Sequence, residues 1–234
     1  MRAISSMATR HVLADLTAAA VSAGLPSVDV ESVGGVDAAS RVADGEAFDL
    51  VFLADGALAK LASDGHVDAA TVVPLVLSQV AVAVASDFSE PAMRPSGAAF
   101  PDVYGLQAAL RAARRIGYST GPSGTALVRM IEDWGMADEV GDRLVQARAG
   151  IPVARSLADG DVDLGFQQLS ELVGQAGVRI LGVMPDDCAI DTVFAGAVAT
   201  ASADPAGARE VLAFLASEAA AAIKVHHSFG VPNR

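Results

Sequence analysis

Apolar positions in this chain follow two rhythms that trade places repeatedly. Residues 3–5 form a short apolar stretch that predicts a strand. Val12, Leu13, Leu16, Ala19 and Ala20 then recur at helical spacing, and Gly24-Leu25-Pro26 ends that helix. Residues 28–33 alternate as a strand, and 36–43 read as a short helix stopped at Gly45. Residues 49–54 are a continuous apolar strand, and Asp55-Gly56 opens a helix over 57–62. A strand-helix order repeated three times predicts a parallel sheet covered by helices.

The stretch 69–86 carries no Lys, Arg or Glu and is nearly long enough to cross a membrane. Pro74, Ser78 and Gln79 interrupt it and Val is abundant, so two buried strands are expected, over 72–77 and 80–85. Residues 87–102 change character, with Pro91, Pro95 and Pro101 separated by Ser and Gly, and read as an irregular loop. The alternation then restarts. Helices are expected over 105–114, 125–134, 137–144 and 153–158, and strands over 115–119, 145–147, 162–166 and 178–183. Residues 192–201 are a second uncharged Val/Ala segment. Helices over 205–216 and 218–226 close the chain, the first opened by Asp204 as cap and Pro205 at the first helical position. The expected architecture is α/β, with two α/β lobes and a ligand cleft between them. One lobe is 1–80 plus 196–234 and the other 81–195, the two uncharged segments crossing between them.

Composition narrows the partners. A chain of 234 residues with 52% hydrophobic and 19% charged residues can bury a sizeable core. The net charge is −12, and Lys60 and Lys224 are the only lysines, which argues against nucleic acid as a partner. A small anion remains compatible, because local donors and helix ends decide its binding. Cys188 is the single cysteine, so no intramolecular disulfide or multi-cysteine metal cluster forms. No metal motif, phosphate loop or nucleophile motif is present, and neither cofactor nor metal is expected. The residues after Met1-Arg2 do not read as a signal peptide, having no uninterrupted apolar run or clear cleavage site. The protein is expected in the periplasm if a leader has been removed, and in the cytoplasm if Met1 is the native start.

Four strand-to-helix turns share one design of small residues. They are Ser5-Ser6, Gly34-Gly35, Gly121-Pro122-Ser123-Gly124-Thr125 and Gly150-Ile151-Pro152. Small residues at a helix start leave the first N–H groups open to an anion. Two such turns in each half of the chain point to a small anion held by amides and hydroxyls. The same serines and threonine also suit plain helix caps.

These residues carry a family resemblance. Ala3-Ile4-Ser5-Ser6-Met7, Gly34-Gly35-Val36, Phe48-Asp49-Leu50-Val51-Phe52-Leu53-Ala54 and Gly124-Thr125-Ala126 are similar to the type II periplasmic binding proteins. So are Val153-Ala154-Arg155-Ser156-Leu157-Ala158-Asp159-Gly160, Leu164-Gly165-Phe166 and Ala213-Phe214-Leu215-Ala216-Ser217-Glu218-Ala219-Ala220. The resemblance is to the molybdate-binding group of ABC-transporter substrate-binding proteins, and spans nearly the whole chain. It implies an oxyanion site on the four turns, with Ser5 or Ser6 matching the family's first serine and Gly34-Gly35 standing near its second. It implies amide donors from Ser123, Gly124 and Thr125 and from Val153, since Pro152 has no N–H. Molybdate binders often carry a tyrosine after the strand matching 164–166, where this chain has Gln167-Gln168. That string resembles a divergent branch that includes aconitate isomerase, a binding-protein fold used as an enzyme. A possible partner implied by the family is the membrane component of an ABC transporter; the chain itself is not expected to span the membrane.

Two functions stay open. One is a solute-binding protein for a small carboxylate or oxyanion. The other is a cofactor-independent isomerase shifting a double bond in a tricarboxylate, which needs a base and an acid. Arg155 is either a carboxylate clamp or an exposed helix arginine. Gln167 and Gln168 offer donors and acceptors to a ligand. Glu31 and Glu171 are acids suited to proton transfer that the sequence does not position, and no catalytic residue is assigned. His11 is a base near the first turn or a solvated helix residue.

Overall fold

The computed structural model describes residues 1–87, 90–119, 122–148 and 151–232. Gly121 and Gly150, named above in two of the turns, lie outside them. The chain divides into two compact units, Met1–Leu77 with Thr192–Arg234, and Ser78–Asp191.

The first unit opens with β1 (Arg2–Ser6), a single 3₁₀ turn and α1 (Arg10–Ser22). It continues with β2 (Asp29–Val33), α2 (Gly35–Ala43), β3 (Leu50–Ala54) and α3 (Asp55–Ser63). β1 lies between β2 and β3 and is parallel to both. The sheet continues onto β9 (Asp191–Val198), antiparallel to β3, and α9 (Pro205–Ala216) and α10 (Ala221–His226) complete the unit. Alternate β3 residues point to opposite faces, as strand geometry requires. Leu50 and Phe52 join Val12, Leu13, Leu16 and Leu212 in one apolar layer. Val51 and Leu53 join Val42, Leu58 and Leu61 in the other. A strand buried on both faces has no polar phase, which explains the unbroken apolar run.

β4 (Val73–Ala85) carries the chain into the second unit. There follow α4 (Val103–Ala112), β5 (Ile116–Tyr118), α5 (Pro122–Asp133), α6 (Ala137–Val140) and β6 (Leu144–Gln146). Then come α7 (Val153–Ala158), β7 (Leu164–Gln168), α8 (Leu169–Leu172) and β8 (Val178–Val183). The plan repeats that of the first unit. β5 lies between β6 and β7 and is parallel to both, and β7 pairs antiparallel with the long strand β4. β8 adds a further antiparallel strand outside β4. Val82, Ile116 and Phe166 pack beneath Leu106, Leu110 and Leu127 on one face. Ala81 and Ala83 face Val153, Leu157, Leu169 and Leu172 on the other. Gly117 and Gly165 are register partners and form the floor under α7. A Cβ on Gly165 would stand 2.8 Å from both Val153 Cγ1 and Leu157 Cδ1, so the absent side chain sets how closely α7 approaches.

Two differences from the sequence reading have clear causes. The strands expected over 72–77 and 80–85 are one strand, β4. Ser78 is buried but does not break it, because its hydroxyl donates to Gln168 Oε1 on β7 at 2.7 Å. Pro74 sits at the strand's start, where a missing N–H is tolerated. The helix expected from 105 begins at Val103, because the Asp102 carboxylate accepts from Gly105 N–H at 2.9 Å and caps it. Among the described residues, no helix is long and apolar enough to cross a membrane.

An ionic network closes the outer edge of the first sheet. Arg41 donates to both oxygens of Glu31, at 2.6 and 3.0 Å, and to both oxygens of Glu46, at 2.7 and 2.8 Å. Arg2 donates to Glu46 at 3.2 Å, and both guanidinium groups lie over the Phe48 ring. Hydrogen bonding to Arg41 holds Glu46 at a pKa of about 2 against an ordinary 4.5. A depressed carboxylate stabilises the fold above the unfolded pKa and loses that contribution as pH falls through the folded one. We therefore expect the urea midpoint to decline between pH 4.5 and about 2, and Glu46→Gln to flatten that decline while lowering the neutral-pH midpoint. A midpoint that responds to acid identically in both proteins would remove Glu46 from the account.

Candidate functional site

In a parallel sheet buried on both faces, polar groups gather where strands end and helices begin. In the first unit that place is the carboxyl end of β1. Ser5 and Ser6 are both buried there, and their hydroxyls have different fates. Ser5 Oγ lies 2.7 Å from Ser32 Oγ and donates to Ser6 O at 3.3 Å, so its bonding is spent inside the protein. Ser6 precedes a helical turn but caps nothing. Its Oγ has no hydrogen-bond partner, although the residue is only 7% exposed. A buried unpaired hydroxyl costs about 1–3 kcal/mol and marks a place where a partner belongs.

The start of α2 lies beside Ser6. Gly35 opens α2, and a Cβ added there would lie 3.7 Å from Ser6 Cβ. Gly34 and Gly35 are exposed, and no side chain caps α2, so its first-turn N–H groups face outward. Nor does a side chain from Ala54 cap α3, where Gly56 N–H donates to Asp55 Oδ1 at 2.7 Å.

In the second unit the equivalent turn begins α5. Ser123 is buried with its Oγ 3.0 Å from Ser119 Oγ, and Thr125 is exposed. Gly124 is sterically obligatory, since a Cβ there would stand 1.8 Å from Ser119 O. Val153 begins α7 and its side chain is buried. The next amide, Ala154 N–H, donates to Gln167 Oε1 at 3.2 Å, and Gln167 Nε2 donates to Glu171 Oε2 at 2.7 Å. Gln167 is thus buried and held at both ends, whereas Gln168 accepts from Ser78. Arg155 is exposed and donates to Asp159 Oδ2, four residues on, at 2.7 Å.

The structure therefore groups Ser5, Ser6, Gly34 and Gly35 in the first unit. In the second, Gln167 sits directly against α7, and Gly124 against Ser119. Arg155 points away to its own helix neighbour. The Gln167–Glu171 bond escaped the sequence reading, although the four-residue spacing across a strand-to-helix junction was its signal. Other candidates fall into structural roles. His11 is exposed and rests against Arg10 at 3.0 Å. Burial and the neighbouring Asp187 push the Cys188 thiol up to about 11, leaving it protonated and unreactive near neutrality. Among the described residues, no three His, Cys, Asp or Glu side chains are grouped to hold a metal.

Known proteins share this plan. A family model described as bacterial extracellular solute-binding protein matches residues 2–230. An aconitate isomerase from a Pseudomonas species is 34% identical over 185 residues, which is 78% of this chain and 67% of that protein. A substrate-binding domain ascribed to a molybdenum ABC transporter of Clostridium difficile superposes with a TM-score of 0.81 at 15% identity, covering 100% of this chain and 99% of that one. The periplasmic molybdate-binding protein of Azotobacter vinelandii gives a TM-score of 0.69 at 19% identity, with both chains covered 100%. At such identities the two structures establish the fold, that of the type II periplasmic binding proteins.

The steric demand at the α5 turn is directly testable. Gly124→Ala should cost about 3 kcal/mol, the upper end for an inserted methyl group in packed surroundings. Gly56→Ala, whose added Cβ would meet nothing within 4 Å, should change stability by less than about 1 kcal/mol. Chemical denaturation of the two variants reads the contrast, and equal stabilities would mean the turn relaxes freely.

Proposed function

The chain belongs to the bacterial extracellular solute-binding protein family, and from that premise we propose that it captures a small anion of carboxylate or oxyanion type. The observation that carries this reading is the Ser6 hydroxyl, buried without a partner beside the uncapped start of α2. A hydroxyl and first-turn amides together form a neutral donor set, which suits an anion in a protein whose net charge is −12. The second unit's matching groups, Ser123, Gly124, Thr125 and Val153, make up a further donor set of the same kind. Gln167 adds an amide whose orientation is fixed, its Nε2 keeping one hydrogen beyond that given to Glu171. A side-chain amide that can donate to a carboxylate suits an organic acid better than a compact oxyanion already satisfied by backbone amides. As a member of a solute-binding family the protein would act in the periplasm and hand its anion to the membrane component of an ABC transporter.

A second reading has its own support. The aconitate isomerase is 34% identical to this chain, against 15% and 19% for the molybdenum-related structures. Binding a tricarboxylate and isomerising it need the same capture step, so the two readings share a site and differ in whether a base faces the ligand.

Calorimetry with trans-aconitate, citrate, molybdate and sulfate is the test. We expect a di- or tricarboxylate to bind more tightly than molybdate. Ser6→Ala should weaken that ligand by about 1.5–3 kcal/mol, the value of a hydrogen bond to a charged group. No binding of any of the four at millimolar concentration would discard the anion reading. Tight molybdate binding without carboxylate affinity would return the protein to oxyanion transport.

A further inference from the structure

Isomerisation of an unsaturated tricarboxylate by proton transfer needs one group able to take a carbon-bound proton and give it back. The sequence offered two acids, and the structure separates them. Glu31 lies on the outer strand β2 with both oxygens held by Arg41, and this pairing keeps its carboxyl below the usual range. A carboxylate stabilised in this way is a poor proton acceptor. Glu171 stands differently. Its Oε2 accepts from a neutral amide, Gln167 Nε2, and no ion pair among the described residues engages it.

The tether is rigid where it matters. Gln167 is 5% exposed, and Ala154 N–H fixes its Oε1, so the amide's donor end must face Glu171. Glu171 itself is exposed. The result is a carboxylate positioned by a buried neutral group and, among the described residues, without an ion-pair partner. Its place in the fold is also suitable. Tyr118 pairs with Phe166, so Gln167 is level with Ser119, whose Oγ meets Ser123 Oγ at the start of α5. Glu171 therefore belongs to the same carboxyl end of the second sheet as the Ser123-Gly124-Thr125 donor turn.

We propose that Glu171 is the proton-transfer group of an allylic isomerase activity and that Gln167 is its positioning residue. This rests on the isomerase reading above. The Glu171 carboxylate takes one proton from the CH2 arm of trans-aconitate. The C–H electron pair becomes a new π bond to the central carbon, and the former π pair moves to the outer carbon. The carboxylic acid so formed returns the proton to that outer carbon. One C–H bond breaks and one forms, the double bond shifts by one position, and no oxidant, reductant or cofactor enters.

The experiment is proton NMR of trans-aconitate in D2O with the full chain, alongside calorimetry. The wild type should form cis-aconitate and wash deuterium into the allylic position. Glu171→Gln should lower both turnover and exchange by about 100-fold or more, the usual worth of a positioned acid-base group, with Kd for trans-aconitate within about threefold. Glu171→Asp keeps the charge but draws the carboxylate back. It should lose about tenfold in turnover at unchanged Kd, and it serves as the test if the glutamine variant fails to fold. Gln167→Ala should lower turnover more than affinity. Wild type that binds trans-aconitate without turnover or exchange would overturn the isomerase reading and the assignment with it. Turnover and exchange persisting within tenfold in Glu171→Gln would overturn the assignment alone.

Discussion

The constraint on which the molecule rests is the burial of both its sheets on both faces. Leu50 and Phe52 face one apolar layer while Val51 and Leu53 face another, and Val82 and Ala83 divide the second unit in the same way. A strand covered on both sides by helices has no room for polar side chains except at its ends. The positions of Ser5, Ser6 and Gln167 follow from this, since each stands at the carboxyl end of a parallel strand. Where a polar residue does enter a strand, as Ser78 does in β4, it is tolerated because Gln168 Oε1 on the neighbouring strand accepts its hydrogen bond.

At those ends, chemistry is decided by which donors are already used. Ser5 and Ser32 satisfy each other, whereas Ser6 is left alone beside the open start of α2. In the second unit Gln167 occupies a first-turn amide of α7 and in turn holds Glu171. The two units thus repeat one strand plan and end it with different equipment. One carries the unpaired Ser6 hydroxyl beside a helix start that no side chain caps. The other presents a tethered carboxylate beside a donor turn. That asymmetry is what makes a plain binding protein and an isomerase two uses of one scaffold.

Charge acts locally throughout. Arg41 is consumed by Glu31 and Glu46, Arg155 by Asp159, and Arg111 by Glu139. These three cations are thus committed to acids of their own unit, whereas Arg10, just beyond the Ser5-Ser6 turn, lies against His11 at 3.0 Å. Helix dipoles and hydroxyls can hold an anion without any opposite net charge, which is why the proposed capture is compatible with an acidic chain. The ionic network over Phe48 serves a different end, fastening the outer edge of the first sheet where, among the described residues, β2 pairs with β1 alone.

Much of this was written in the linear chain. The alternation of apolar strands with helical stripes dictated an α/β fold, because periods of 2.0 and 3.6 bury opposite surfaces and leave few other arrangements. The small-residue turns were legible too, as was the cap at Asp204, because helix starts have local chemistry. What the sequence left open was pairing between distant residues. It favoured Ser6 over Ser5 without a physical reason, since both are serines at one strand end and only the nearness of Ser32 spends one of them. Nor could it join 72–77 to 80–85 as one strand, because the partner of Ser78 lies 90 residues away. It offered Glu31 and Glu171 as equals. Only the tertiary structure gave Arg41 to the first and the neutral amide of Gln167 to the second, and that difference of partner, not of residue type, sets what each carboxylate can do.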